Sequence, residues 1–217
     1  MNESELEVLR QINFGALSSE DLVNIYHDYA RSYRVQFQLV QHPRFPIKYS
    51  MGIISKMFPP DLVRITKNKR TNPFVRKKAE LEFRNRYIKL ALGEKLALMK
   101  GAPLSLLEYF VAEKDKRILS VIFHNPFCTE ELMLKFINRI QDRIPVYQAL
   151  DSTLWHRRRP VAFAISRDSQ APIKMMLKII PFLEISRLRD MYLDETIHQI
   201  VRDRIIDYMR SRRKHGY

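Results

Sequence analysis

Ile118-Leu-Ser-Val-Ile122-Phe-His-Asn125-Pro126-Phe-Cys-Thr129 is one of three versions of a single phrase. The others are Val35-Gln-Phe-Gln-Leu39-Val-Gln-His42-Pro43-Arg-Phe-Pro46 and Val161-Ala-Phe-Ala-Ile165-Ser-Arg-Asp168-Ser-Gln-Ala-Pro172. Aligned on His42, Asn125 and Asp168, the phrases place Val35, Ile118 and Val161 in one column and Leu39, Ile122 and Ile165 in another four residues later. An apolar pair at i, i+4 is one face of a helix that ends at the turn. Pro46, Thr129 and Pro172 form a third column, where Pro at a first helical turn or Thr as an N-cap starts the next helix. The phrase therefore reads helix, turn, helix, three times over.

A longer match links residues 46 to 84 with 172 to 210, without a gap, at an offset of 126. Pro46-Ile-Lys pairs with Pro172-Ile-Lys, Ile53-Ile54 with Ile179-Ile180, and Leu62 and Ile65 with Leu188 and Met191. Val75-Arg76 pairs with Val201-Arg202, and Arg84 with Arg210. The three phrases are spaced 83 and 43 residues apart. That spacing suggests a unit near 42 residues, in the range of HEAT and armadillo repeats. A shorter spacing of 26 separates Pro103 from Thr129, so the unit is irregular.

The segment Ala102-Pro103-Leu-Ser-Leu-Leu-Glu-Tyr-Phe-Val-Ala-Glu-Lys-Asp115-Lys-Arg117-Ile118 through Asn125-Pro126 resembles the leucine-rich repeat variant, a bacterial HEAT-like pattern. That pattern has Pro before a leucine-bearing helix, Asp before Arg-hydrophobic, and Asn-Pro at the end. The resemblance is good over residues 102 to 140, partial at 34 to 58 and 160 to 183, and absent from the first 30. It implies an all-α, irregular HEAT-like α-solenoid of stacked helical repeats. It brings no catalytic residues and no particular partner.

Composition agrees with helices. Of 217 residues 46% are hydrophobic and only five are glycine, enough for a continuous core and poor in helix breakers. The periodicity predicts helices near 3-13, 19-30, 32-41, 46-57, 60-66, 73-90, 93-100, 103-113, 115-124, 129-141, 145-156, 160-167, 172-182, 184-192 and 195-211. We expect a single domain: residues 1-30 as an atypical acidic cap or docking arm, 31-212 as repeats, and 213-217 as a basic tail.

The net charge is +14, yet residues 1 to 28 hold six acids against Arg10 alone, so the rest is strongly basic. Such a surplus favours an acidic protein, nucleic acid or an anionic surface as partner. No apolar run approaches the ~18 residues that span a bilayer, and the acidic N-terminus is unlike a signal peptide. A cytoplasmic location is the corresponding expectation. With Cys128 as the lone cysteine, neither an internal disulfide nor a cysteine metal site is expected.

Three basic stretches are candidate surfaces. Lys67, Lys69, Arg70, Arg76, Lys77, Lys78, Arg84 and Arg86 face only Glu80 and Glu82. They read as phosphate-tracking cations or as a solvated helix face. In Trp155-His156-Arg157-Arg158-Arg159-Pro160 the only tryptophan adjoins three arginines, which suit phosphate or carboxylate, while the indole can stack or simply anchor a helix. Arg210, Arg212 and Arg213 lead into the tail and read as a polyanion-binding extension or a solubilising end.

Asp190, Asp194, Glu195 and His198 are the nearest approach to a catalytic or metal cluster; the reading preferred is Asp194 as N-cap of the last helix with His198 on its first turn. The remaining histidines have no metal-ligand spacing. There is no Walker loop, G-x-S-x-G or dinucleotide fingerprint. The sequence thus predicts no catalytic residue, no cofactor and no metal. The leading expectation is a non-catalytic binding or scaffold module that docks an acidic protein or nucleic acid through its basic surface. Two alternatives are an assembly subunit that self-associates through the N-terminal arm, and a HEAT-like DNA glycosylase using Trp155.

Overall fold

The computed structural model describes residues 3-14, 16-139 and 142-214, without the side chains of Glu3, Phe14, Arg139, Arg213 and Lys214. Among these the chain is all-α: fifteen α-helices, three short 3-10 helices and no strand. It divides into two compact units, Met1–Leu98 and Met99–Tyr217. No helix among the described residues is long and apolar enough to cross a membrane.

Unit 1 contains α1 (Glu3–Phe14), α2 (Ser19–Asp28), α3 (Tyr33–Gln41), α4 (Ile47–Ile54), α5 (Pro59–Lys67) and α6 (Pro73–Tyr87), followed by α7 (Leu92–Met99). Helix α2 starts at a reciprocal box, in which the Ser18 hydroxyl accepts from the Asp21 N–H (3.1 Å) and the Asp21 carboxylate accepts from the Ser18 N–H (2.9 Å). Ile12 and Leu22 are buried, and helices α1 and α2 both pack on α3. Helix α3 packs on α4, and α4 and α5 both pack on α6, burying Leu39, Ile54, Leu62, Ile65 and Phe83 completely. Each such side chain contributes about 1.5–3 kcal/mol relative to exposure.

Unit 2 holds α8 (Leu104–Leu107), α9 (Lys116–Phe123), α10 (Glu130–Arg139), α11 (Ile144–Leu150), α12 (Arg159–Ser166), α13 (Ile173–Ile179), α14 (Ile185–Leu193) and α15 (Gln199–Lys214). The Asp115 carboxylate caps α9 by accepting from the Arg117 N–H (2.9 Å) and pairs with the Arg117 guanidinium (2.6 Å). The hydrogen bonds from Arg117 hold this carboxyl down at about 2. Helix α9 buries Ile118, Leu119, Ile122 and Phe123 and packs against α11.

The offset of 126 found in the sequence recurs in the helices. Helices α3 and α5 start at Tyr33 and Pro59, and α12 and α14 at Arg159 and Ile185; α6 starts at Pro73 and α15 at Gln199. The packing pairs also repeat, with α10 on α12, α12 on α13, and α13 and α14 on α15.

One turn explains the recurring phrase. The side chains of His42, Asn125 and Asp168 each accept the backbone N–H two residues on, from Arg44 (3.2 Å), Phe127 (2.7 Å) and Gln170 (3.0 Å). Their carbonyls each accept the N–H three residues on, from Phe45, Cys128 and Ala171. Asn68 and Asp194 make the same two bonds, to Arg70 and Thr71 and to Thr196 and Ile197. The column therefore needs a short acceptor side chain, which reverses the chain between helices. Some of these residues also reach back to an earlier turn: Asn125 donates to the carbonyls of Met99 (2.7 Å) and Ala102 (3.0 Å), and Asn68 to the Gln41 side chain (3.2 Å). Asp168 is buried and accepts from the Tyr147 hydroxyl and the Arg143 guanidinium. Burial, followed by this hydrogen bond, pushes the Tyr147 phenol far up.

Several helices end earlier than the sequence predicts, α4 at Ile54, α6 at Tyr87, α8 at Leu107 and α13 at Ile179, and two boundaries have a side-chain cause. Helix α11 ends at Leu150, because the Ser152 and Thr153 hydroxyls fold back onto the Ala149 and Leu150 carbonyls (2.9 and 2.8 Å). Helix α15 begins at Gln199 with His198 as its cap: the imidazole Nδ1 accepts from the Ile200 N–H (3.2 Å). Asp194 therefore belongs to the preceding turn and does not cap α15, and the two residues do not share a helix face. Asn72, the residue matching His198, caps α6 by the same bond from Phe74 (2.9 Å).

Candidate anion-binding cleft

Part of the basic run around Lys77 is paired within unit 1. Lys77 pairs with Glu80 and Lys78 with Glu82, both at 3.1 Å. Arg86 donates to the carbonyls of Met57 (2.6 Å) and Ser55 and lies 3.5 Å from Glu82. Arg76 is half-buried with its Nε unsatisfied, and Arg84 is exposed. Lys67, Lys69 and Arg70 are exposed around the α5–α6 turn. Helical i, i+3 and i, i+4 pairs reduce the charge that α6 presents.

In unit 2 the basic residues are arranged differently. Residues Trp155–Arg157 form a 3-10 turn whose first two side chains point inward. The Trp155 indole N–H donates to the Phe123 carbonyl (2.8 Å), and buried His156 meets the Phe182 ring edge-on at 6.0 Å. Two adjacent inward anchors leave the three arginines exposed. Arg158 lies over the Trp155 ring at 4.8 Å and reaches Glu130 at 3.8 Å. Arg157 and Arg159 instead line a cleft of about 500 Å³ together with Arg212 from the end of α15.

The cleft's remaining lining is Pro181, Phe182, Leu183, Glu184, Ile185 and Tyr208. The Tyr208 hydroxyl donates to the Pro181 carbonyl at 3.4 Å. None of the three arginines is ion-paired among the described residues, and Glu184 is the single acid of the lining. His156, just behind the arginines, has its pKa lowered by burial and then by the charges of Lys178 and Arg157. Its buried Nδ1 has no partner.

A second cleft of about 380 Å³ shares Arg159, Phe182, Leu183 and Glu184 and continues to Phe163, Arg187 and Asp190. Phe163 is 47% exposed, with Arg167 and Arg187 at 5.7 and 5.8 Å from its ring. Arg187 is fixed by Ser166, donating to its hydroxyl (2.9 Å) and carbonyl (2.7 Å).

The matching place in unit 1 is filled by the protein itself. At the offset of 126, Arg159 corresponds to Tyr33, Glu184 to Phe58, Tyr208 to Glu82 and Arg212 to Arg86. The Tyr33 hydroxyl donates to Asp61 (2.6 Å) and accepts from the Phe58 N–H (2.9 Å), and the two rings lie 5.2 Å apart. Burial, with Asp61 second, raises the Tyr33 phenol to about 12. Arg86 takes the Ser55 carbonyl, whose counterpart Pro181 is bonded to Tyr208 instead. One copy satisfies its arginine internally, whereas the other leaves arginines facing a cleft.

Comparison with protein-family models, with curated proteins and with solved structures finds no match, so the chemistry is read from this geometry.

The structure thus gathers Arg157, Arg159 and Arg212 from two separate basic stretches. It does not add Trp155, which is anchored behind them, or Arg158 and Arg210, which do not line the cleft. The Arg213 side chain and residues 215-217 of the tail lie outside the described residues. Tyr208, Phe182 and Arg187 were not legible as site residues: Tyr208 continues the i, i+4, i+8, i+11 stripe Ile197, Val201, Ile205, Tyr208 of the predicted last helix, which reads as a buried face. The mismatch of Glu82 with Tyr208 gave no separate signal, because most aligned positions of the two segments differ. Asp194 and His198 serve as turn and cap, and no group of three potential metal ligands occurs among the described residues.

Proposed function

We propose that this protein is a non-catalytic α-helical repeat module, an irregular HEAT-like stack, which docks an acidic partner in the arginine-lined cleft of unit 2. The observation carrying this reading is the convergence of Arg157, Arg159 and Arg212 on one cleft with no acid paired to them among the described residues. Guanidinium forks suit phosphate or carboxylate groups, and charge-assisted bonds to them are about twice as strong as neutral ones. Unit 1 supplies an internal contrast, because there Glu82 and two carbonyls occupy the corresponding arginine.

The test compares two triple variants on an immobilised polyanion such as heparin. Arg157→Ala/Arg159→Ala/Arg212→Ala is expected to elute at clearly lower salt than Lys67→Ala/Lys69→Ala/Arg70→Ala, although both lose three charges. Equal elution of the two would mean that net charge alone governs binding, and the cleft reading would be abandoned.

A further inference from the structure

Resting on that reading, we infer that the partner's segment in the cleft is single-stranded nucleic acid, held by phosphates on the arginines and by unpaired bases on the rings. Two features separate this from an acidic peptide, and a third separates it from a duplex. Guanidinium groups and rings line the two clefts together: Arg157, Arg159 and Arg212 with Phe182 and Tyr208 in the first, and Arg159 and Arg187 with Phe163 and Phe182 in the second. A groove that combines arginines with aromatic rings suits a strand that carries both phosphates and flat bases.

The second feature is where the clefts' acids lie. Glu184 lines both clefts and Asp190 the second. A carboxylate-rich peptide would place like charge beside both. A nucleotide can direct its exocyclic amino groups towards them, because those groups donate hydrogen bonds. The third feature is depth. Phe182 and Tyr208 are half-buried parts of the cleft lining. A ring set in a cleft reaches a splayed base, whereas the base faces of a duplex are stacked away.

The arginines are local determinants of charge and not of base sequence, so binding is expected to be strong in electrostatics and weak in sequence preference. Arg157, Arg159 and Phe163 are exposed, so their replacement leaves the core untouched.

The experiment measures fluorescence anisotropy of the full chain with a labelled single-stranded oligonucleotide of mixed sequence, its duplex, and a polyglutamate peptide, across a salt series. The single strand is expected to bind most tightly. Each of Arg157→Ala and Arg212→Ala is expected to reduce the log–log salt slope by about 0.7, the value for one phosphate contact on a single strand. Phe163→Ala is expected to weaken the single strand roughly tenfold and leave the slope unchanged, as loss of one stacked base requires.

If polyglutamate binds as well as the oligonucleotide and both are lost in the triple arginine variant, the cleft is a site for acidic protein, and the nucleic-acid inference falls while the proposed function stands. Preference for the duplex, or indifference to Phe163→Ala, likewise overturns the single-strand inference. If the triple variant keeps its circular dichroism and melting point and still binds every probe as wild type does, both readings fall.

Discussion

Replacing Arg86 with alanine is expected to destabilise the protein, and replacing Arg212, its counterpart at the offset of 126, is not. The Arg86 guanidinium donates to the Met57 carbonyl at 2.6 Å and to the Ser55 carbonyl, and lies 3.5 Å from Glu82. Hydrogen bonds that involve a charged group contribute about 1.5–3 kcal/mol when well buried. The Arg86 side chain is 32% exposed, so about 1 kcal/mol for each carbonyl is the appropriate scale. The ion pair with Glu82 adds at most a few tenths, because such helical pairs are worth about 0.3–0.5 kcal/mol. Arg86→Ala should therefore cost about 2 kcal/mol. Arg212 has neither a carbonyl nor a carboxylate partner among the described residues. Its removal should stay within about 0.5 kcal/mol, the usual range for surface substitutions. Urea denaturation of the two variants, followed by circular dichroism with the slope m held common, reads the difference directly. Equal costs for the two would mean that Arg212 is a structural residue and that the contrast between the copies is not a contrast of role.

Two further outcomes follow from buried groups. Asp168→Ala removes the acceptor shared by Tyr147, Arg143 and the Gln170 N–H, and should cost about 3–5 kcal/mol, the range for breaking a buried pair; His42→Ala, the matching turn with only its single acceptor bond, should cost about 1 kcal/mol, and thermal melts of both would show whether the Asp168 network carries the difference. His156 has its pKa lowered in the folded state, so its neutral form is favoured: stability from this residue is full above its unfolded value of 6.5 and is lost as pH falls through the lower folded value. The melting point should consequently drop between pH 7 and pH 5, and His156→Phe should shrink that drop; an identical drop in the variant would exclude this histidine as a cause.

Most helices were legible because their signals are local. Pro46, Pro103 and Pro172 stand at helix starts, and buried columns such as Val35, Ile118 and Val161 lie one face round from the turn that follows. The start of α15 was misplaced because Asp194 and His198 both carry acceptors, and the backbone chooses which one caps by where the preceding turn closes. The cleft was less legible still. Arg157 and Arg212 are 55 residues apart in sequence, and nothing in either stretch announces the other. The charge around Lys77 is dense in the sequence, but the sequence does not say which cations are paired: folding sets Glu80 on Lys77 and Glu82 on Lys78 and leaves Lys67, Lys69, Arg70 and Arg84 exposed.

The junction residue has a consequence for how such a chain can change. His42, Asn68, Asn125, Asp168 and Asp194 perform one task, accepting an N–H two residues on, with side chains that are neutral, negative or titratable. At His42 and Asp194, whose side chains bond only within their own turn, the task constrains the acceptor atom and leaves the charge unspecified, so amide, carboxylate and imidazole can exchange there with little effect on the path of the backbone. At Asn68, Asn125 and Asp168 a second bond, to Gln41, to the Met99 and Ala102 carbonyls, or to Tyr147 and Arg143, fixes the side chain as amide or carboxylate. The electrostatic profile is in this sense adjustable at the first two joints, one unit of charge at a time, while the helices that they connect keep their register.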